Sequence, residues 1–252
     1  MTRRRLLFVP TYNERENVEN MVRQLLALDL DADLLFLDDG SPDGTGKVLD
    51  RLAAEIPRLS VMHRAGKQGI GTAHQQGIRH AYALDYDELV TLDCDFTHKP
   101  SDIPRLLDAL RGHDLATGSR YMESGSLPDW NILRRSLTGV GHFLTRRLLS
   151  IPHDATGALR AYDLRRIRPD IFDAVEAGGY GFFFESMLVL TRAGYSVGEF
   201  PIVLPARTYG TSKMTTTETL KSGMRLMVLW ARTLRPRSAV SKQREKRVDA
   251  FE

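Results

Sequence analysis

Three short segments hold residues whose types and spacing suit chemistry. Asp93-Cys94-Asp95 sets two carboxylates at i and i+2 directly after an apolar run. On a strand, successive side chains alternate, so both carboxylates share a face. Paired oxygen ligands of this kind suit Mg²⁺ or Mn²⁺, an ion that keeps open positions for substrate phosphates. The alternative is two solvated loop acids. Asp38-Asp39-Gly40-Ser41-Pro42-Asp43-Gly44-Thr45 is turn-rich. Gly40 and Gly44 permit tight turns, and Asp43 or Thr45 can cap a following helix. Asp38 and Asp39 are left over, and carboxylates there suit the donor edge of a base or the hydroxyls of a ribose. Gly66-Lys67-Gln68-Gly69-Ile70-Gly71 precedes a helical pattern, where exposed N–H groups and Lys67 favour an anion. It is neither Walker A nor G-x-G-x-x-G, and a plain turn is the alternative.

Further along, Arg120 (in Gly118-Ser119-Arg120-Tyr121), Arg134-Arg135, Arg207 and Lys213 offer cations for phosphate. Arginine presents a bidentate fork and lysine a point charge. Taken singly, each reads as a solvated surface residue. None of the seven histidines falls in H-E-x-x-H, and His98 reads as a surface histidine near the acidic pair. Ser126 and Ser136 lack a G-x-S-x-G elbow, which argues against a serine hydrolase.

Alternating patterns must position these groups. Short apolar runs at 6–9, 34–37, 59–62, 89–92 and 115–117 read as strands. Helical spacing at 16–28, 46–56, 72–84 and 103–110 separates them; in the first, Val18, Met21, Val22, Leu25 and Leu26 share a side. Strands alternating with helices predict crossover units and a mainly parallel sheet. In such sheets ligands bind beyond the carboxyl ends of the strands, where segments 10–14, 38–43 and 93–95 fall. The second half is less regular. Residues 131–150 interleave Leu133, Leu137, Val140, Phe143, Leu144 and Leu148 with Arg134, Arg135, Arg146 and Arg147. Residues 216–234 carry Leu220, Met224, Met227, Ala231 and Leu234 on one stripe. Both segments suit interfacial helices, with packing on the domain core as the alternative. Beyond Pro236 the chain is polar and charged, and disorder is expected.

Composition narrows the class. The chain has 252 residues, with 35 basic and 32 acidic side chains. From Arg235 to Glu252 six basic residues face three acidic ones, so the net +3 lies in the tail. The body has no basic excess for nucleic acid. Apolar residues at 42% and charged ones at 27% are ordinary for one large soluble domain. The single cysteine, Cys94, excludes an internal disulfide framework and a cysteine-based zinc site, and fits a reducing compartment. No run approaches the roughly 18 apolar residues that span a bilayer. Arg3-Arg4-Arg5 before Leu6-Leu7-Phe8-Val9 is too short for a signal peptide, so a cytoplasmic protein is expected.

Together the motifs resemble the inverting family 2 glycosyltransferases, most closely the dolichyl- or polyprenyl-phosphate mannosyltransferases and their glucosyl relatives. The pattern is carried by Pro10-Thr11-Tyr12-Asn13-Glu14, Asp38 to Thr45, Gly66 to Ala73, Asp93 to Asp95 with His98 and Pro100, and Gly118-Ser119-Arg120-Tyr121 with Trp130 and Arg134. It continues through Asp154-Ala155-Thr156-Gly157, Arg160-Ala161-Tyr162, Gly179-Tyr180 with Glu185, Pro201, Arg207 and Gly210-Thr211-Ser212-Lys213. The resemblance runs from about residue 6 to 213 and implies one GT-A type, Rossmann-like α/β domain over 1–213. After it come an amphipathic helix over 214–234, expected at a membrane interface, and a basic tail over 235–252.

The resemblance further implies that Pro10, Tyr12, Glu14, Asp38, Asp39 and Lys67 hold the nucleotide. Asp93 and Asp95 would hold Mg²⁺ or Mn²⁺ and the diphosphate. Arg120, Arg134, Arg207 and Lys213 would receive a lipid phosphate. Expected partners are a nucleotide sugar, a polyprenyl or dolichyl phosphate and the anionic cytoplasmic face of a membrane. Thr97 stands where the family often has glutamine, an auxiliary contact of the metal motif, and Phe184 precedes Glu185 where a glutamine is often seen. A phosphate acceptor is largely dianionic at pH 7 and needs no strong base. A hydroxyl acceptor would need one, with Glu185 or Asp154 as the candidate. A third reading is a non-catalytic nucleotide-sugar binder at a membrane.

Overall fold

The computed structural model describes residues 3–205 and 215–234. Strand β1 (Arg5–Thr11) shows how the core is built. Its alternate residues Leu6 and Phe8 enter one apolar cluster, while Leu7 and Val9 enter another. Strand β2 (Asp33–Asp38) repeats this, with Leu35 and Leu37 on the first side and Leu34 and Phe36 on the second. Strands buried on both faces read as continuous apolar runs, which is why these two were legible.

Helices α1 (Arg15–Leu26), α2 (Thr45–Glu55) and α4 (Ile103–Leu110) give their buried apolar residues to the second cluster. Helix α3 (Ile70–Ala83) covers the first. Strands β3 (Leu59–His63), β4 (Glu88–Thr91) and β5 (Leu115–Ser119) complete the first half.

The second half is more regular than its sequence suggests. It holds helix α5 (Ile132–Leu148), strand β6 (Arg160–Asp163), helix α6 (Gly181–Arg192), strand β7 (Val197–Pro201) and helix α7 (Thr216–Leu234). Strand β6 is four residues with a charge at each end, too short to show a period. Helix α6 buries residues all round, from Phe182 to Leu190, so it has no polar face to reveal a helical repeat.

The sheet order is β3-β2-β1-β4-β6-β5-β7, with β6 antiparallel to both neighbours and the other pairs parallel. Strand order reverses at β1, between β2 and β4, and a crevice opens beyond the carboxyl ends at such a switch point. The segments following β1, β2 and β4 meet there.

Helices α5 and α7 both send residues to the first cluster, through Leu144 and Leu148 and through Leu226, Leu229 and Trp230. Their other faces are bare. Ile132, Leu137, Val140 and Phe143 on α5 are exposed, as are Leu220, Met224, Met227, Val228 and Leu234 on α7. The 216–234 stripe therefore points outward, and a different pair of leucines makes the core contact. No helix among the described residues is long and apolar enough to cross a membrane. The tail 235–252 lies outside the described residues.

Candidate active site

A cleft of about 660 Å³ opens at the switch point. It is lined by Pro10, Tyr12 and Glu14 from the end of β1, by Asp39 after β2, by Lys67 to Ile70, and by Asp93 to Asp95 after β4. Segments distant in sequence converge because parallel strands all present their carboxyl ends on one edge.

Asp39 organises this edge. Its Oδ1 accepts the Gln68 N–H at 2.9 Å and an Arg64 N–H at 3.0 Å, and its Oδ2 accepts the Gly69 N–H at 2.9 Å. The glycine-rich loop thus offers those N–H groups to a carboxylate of this chain rather than to a bound anion. Tight packing explains Gly71, because a Cβ there would stand 2.7 Å from the Ala177 carbonyl oxygen. Lys67 reaches over the Tyr12 ring, 4.4 Å from its centroid. Gly44, not Asp43 or Thr45, is the N-cap of α2, and Asp43 just ahead of it accepts the Thr45 N–H at 2.9 Å. Asp38 is buried but is absent from the cleft lining. Its Oδ2 accepts the Ser41 N–H at 3.3 Å, so it holds the turn beside the cleft.

The acidic pair departs from its expected local structure. Strand β4 ends at Thr91, so Asp93 and Asp95 lie beyond it, and strand alternation is not what brings them together. Both nevertheless line the cleft. Thr97 donates its N–H to Asp95 Oδ1 at 3.1 Å and its hydroxyl at 2.6 Å, which gives this departure from the family pattern an orienting role. His98 is buried rather than a surface residue, with Nδ1 3.5 Å from Asp93 Oδ2. Burial pushes its imidazole down to about 4, so it is neutral at pH 7. No three His, Cys, Asp or Glu side chains among the described residues are grouped as a metal cage. Two cleft-facing carboxylates still fit a hard divalent ion whose other positions phosphates and water fill.

The predicted acceptor residues separate. Arg120 is buried and makes a fork to Asp154, Nε to Oδ2 at 2.8 Å and Nη2 to Oδ1 at 2.6 Å, and also donates to Thr156 Oγ1. Its charge is matched inside the protein, so Arg120 positions the 154–157 segment. Burial would raise the Asp154 carboxyl, but the Arg120 fork outweighs it and holds the group below the usual range. Arg134 lies over Trp130, 3.5 Å from the ring centroid, at the start of α5. Arg207 and Lys213 lie outside the described residues. Glu185, the other candidate base, is buried and accepts both Arg225 Nε at 2.9 Å and Arg225 Nη2. It also accepts the Glu176 and Ala177 N–H groups at 3.1 and 3.0 Å.

Two further walls close the cleft, one of them holding the Gly179-Tyr180 pair of the family pattern to which the sequence assigned no role. Ala177 to Gly181 form one, joined to α3 by the Thr72 N–H donating to the Gly178 carbonyl at 3.1 Å. The other is Thr215, just ahead of α7, with Glu218, Ser222 and Arg225 on the helix and Lys221 beside them. Glu218, Ser222 and Arg225 sit at i, i+4 and i+7, the spacing of one helix face. That polar periodicity was present in the sequence, hidden behind the more conspicuous apolar stripe.

Residues 7–168 match the family model described as Glycosyl transferase family 2. The chain belongs to this family. It is 38% identical over 210 residues to an undecaprenyl-phosphate mannosyltransferase of Micrococcus luteus, covering 83% of this chain and 86% of that one. It is 39% identical over 216 residues to a polyprenol monophosphomannose synthase of Mycolicibacterium smegmatis, covering 84% and 82%. Among solved structures, glucosyl-3-phosphoglycerate synthase of Mycobacterium tuberculosis with Mn²⁺ and UDP-glucose matches at TM-score 0.65 and 18% identity, over 91% of this chain and 79% of that one. At that identity the likeness speaks to the fold, a GT-A glycosyltransferase domain. This family 2 glycosyltransferase therefore has its cleft where the fold places a ligand, and its acidic pair inside it.

Proposed function

We propose that this enzyme is a metal-dependent inverting glycosyltransferase that moves mannose from GDP-mannose onto a polyprenyl phosphate. The curated relatives, named as mannosyltransferases of that acceptor class, support the sugar and the acceptor. One structural observation carries the acceptor reading: the two carboxylates expected to serve as bases are both matched by arginines, Asp154 by Arg120 and Glu185 by Arg225. Asp154 is held below its usual range by Arg120, and Glu185 spends its oxygens on Arg225 and two backbone N–H groups, which leaves neither carboxylate placed to take a proton from an acceptor. A phosphate monoester has a second pKa near 6 and already carries the nucleophilic charge at pH 7. It asks for cations and alignment rather than a base.

Pro10, Tyr12 and Glu14 would bind the nucleoside, Asp39 would hold the glycine-rich loop beside it, and Lys67 would stand at the phosphates. Asp93 and Asp95 would hold Mg²⁺ or Mn²⁺, and such an ion, when bound, neutralises charge on the departing diphosphate. Thr97 keeps Asp95 turned for that task. Arg134, Arg207 and Lys213 would hold the acceptor phosphate in line with the anomeric carbon, and direct displacement inverts that centre. The lipid-borne acceptor would be reached by peripheral docking on the cytoplasmic face of a membrane. The exposed apolar faces of α5 and α7 support this, and on α5 that face is flanked by the exposed Arg135, Arg146 and Arg147. Basic residues of the tail would add about 1 kcal/mol each near an anionic surface.

The test is incubation of the full chain with polyprenyl phosphate in vesicles, Mn²⁺ and labelled GDP-mannose, UDP-glucose and related donors. Label from GDP-mannose in the extracted lipid is expected. Transfer to a glycan hydroxyl with polyprenyl phosphate inert would overturn the acceptor, and a preference for UDP-glucose would overturn the donor.

A further inference from the structure

Helix α7 brings a lysine to the cleft that the motifs did not single out. Lys221 lines the same cavity as Asp93, Asp95 and Lys67. The described carboxylates around it are Glu14, Asp39, Asp93, Asp95 and Glu218, against the cations Lys67, Lys221 and Arg225. A cleft with this excess of acid repels phosphate unless cations stand ready. Arg225 is tied into Glu185 and Glu176. Lys67 lies over the Tyr12 ring.

Lys221 is held but not used up. Its Nζ donates to Glu218 Oε1 at 3.3 Å, and its side chain stays 63% exposed. An ammonium has three donors, so this contact leaves two that no described residue takes. Glu218 packs closely against the opposite wall: a Cβ at Gly179 would stand 2.6 Å from its Oε2. Two turns beyond Glu218, Arg225 clamps α7 to the buried Glu185, while Leu226 and Leu229 enter the core. The register of α7 over the cleft is therefore set from the inside, and Lys221 is delivered to its rim by a rigid helix.

Building on the transferase reading above, we propose that Lys221 is a phosphate-binding residue of the cleft, its ammonium holding an oxyanion of the reacting phosphates. The donor diphosphate and the acceptor phosphomonoester share that chemistry, and the experiment separates them.

The full chain, Lys221→Ala and Lys221→Arg are titrated with GDP and with UDP in the presence of Mn²⁺ by equilibrium dialysis, and initial rates are measured against donor and acceptor. Loss of one charge-assisted hydrogen bond predicts about a tenfold change in Lys221→Ala. A weaker Kd for the nucleoside diphosphate assigns the oxyanion to the donor. An unchanged Kd with a raised acceptor KM assigns it to the acceptor. In either case Lys221→Arg recovers most of the loss, and the thermal midpoint of the exposed-site variants stays that of the parent. If the parent binds nucleoside diphosphate and Lys221→Ala leaves both constants within about twofold, the Lys221 assignment falls alone. If the parent binds no nucleoside diphosphate, the donor reading falls and takes the assignment with it.

Discussion

Asp95 and Arg120 both carry charge near the cleft, yet their environments assign them different work. The Asp95 bonds to Thr97 are local, made within one turn. Asp95→Ala should keep the fold and lower transfer by about 10³-fold, as removal of a principal electrostatic group does. Near-normal turnover by that variant, measured beside its circular dichroism, would falsify the metal role. Arg120 instead neutralises a carboxylate sealed in the protein. Arg120→Ala strands Asp154, and breaking a buried pair from one side costs about 3–5 kcal/mol. Its denaturant midpoint should fall, and Arg120→Lys should rescue little because lysine lacks the fork. A stable Arg120→Ala protein with only a raised acceptor KM would return Arg120 to the acceptor site. Glu185→Gln tests the base question. A loss of stability with an unchanged pH–rate profile is expected, and loss of the ascending limb would make Glu185 a base after all.

Helix α7 has two faces with different obligations. Glu218, Ser222 and Arg225 face the cleft, while Leu220, Met224 and Met227 face out. An apolar face left in water marks an interaction surface more often than chance exposure. Replacing Leu220, Met224 and Met227 together by serine should abolish flotation with anionic liposomes at low salt and leave nucleoside diphosphate binding intact. Unaltered flotation would shift the membrane contact to α5 or elsewhere. The polar stripe escaped notice because its spacing means little until the partner surface is known.

At the scale of the molecule, the sheet separates two cores, and the one on the α3 side contains a histidine. His74 is stacked on Phe182, with centroids 5.3 Å apart. Burial, with Arg160 nearby, pushes its imidazole down to about 3. In the unfolded chain it protonates near 6.5. Between those values the unfolded state binds the extra proton, so its contribution to stability is complete above about pH 6.5 and declines on acidification, by about 1.4 kcal/mol per pH unit. Chemical denaturation at pH 7, 6 and 5 should therefore show falling stability. His74→Phe should reduce that slope by up to one proton, and an identical slope would place the acid sensitivity elsewhere.

The first half of the fold and most of the cleft were legible because double-sided burial writes itself into a strand as a continuous apolar run. Turn residues then mark each strand end where a ligand sits. Pro10 to Glu14, Asp39, Lys67 and the Asp93–Asp95 pair follow from that logic together with the family pattern. What sequence could not settle is how each charge is matched. Asp39 and Lys67 look equally available on paper. In three dimensions Asp39 is bonded to two loop N–H groups, Arg120 is matched by Asp154 and Glu185 by Arg225. Those partners lie 29 to 40 residues away along the chain. Short-range periodicity is blind to such pairings. Burial decides whether a charge must be matched within the protein or can serve a substrate, and burial exists only once the chain has folded.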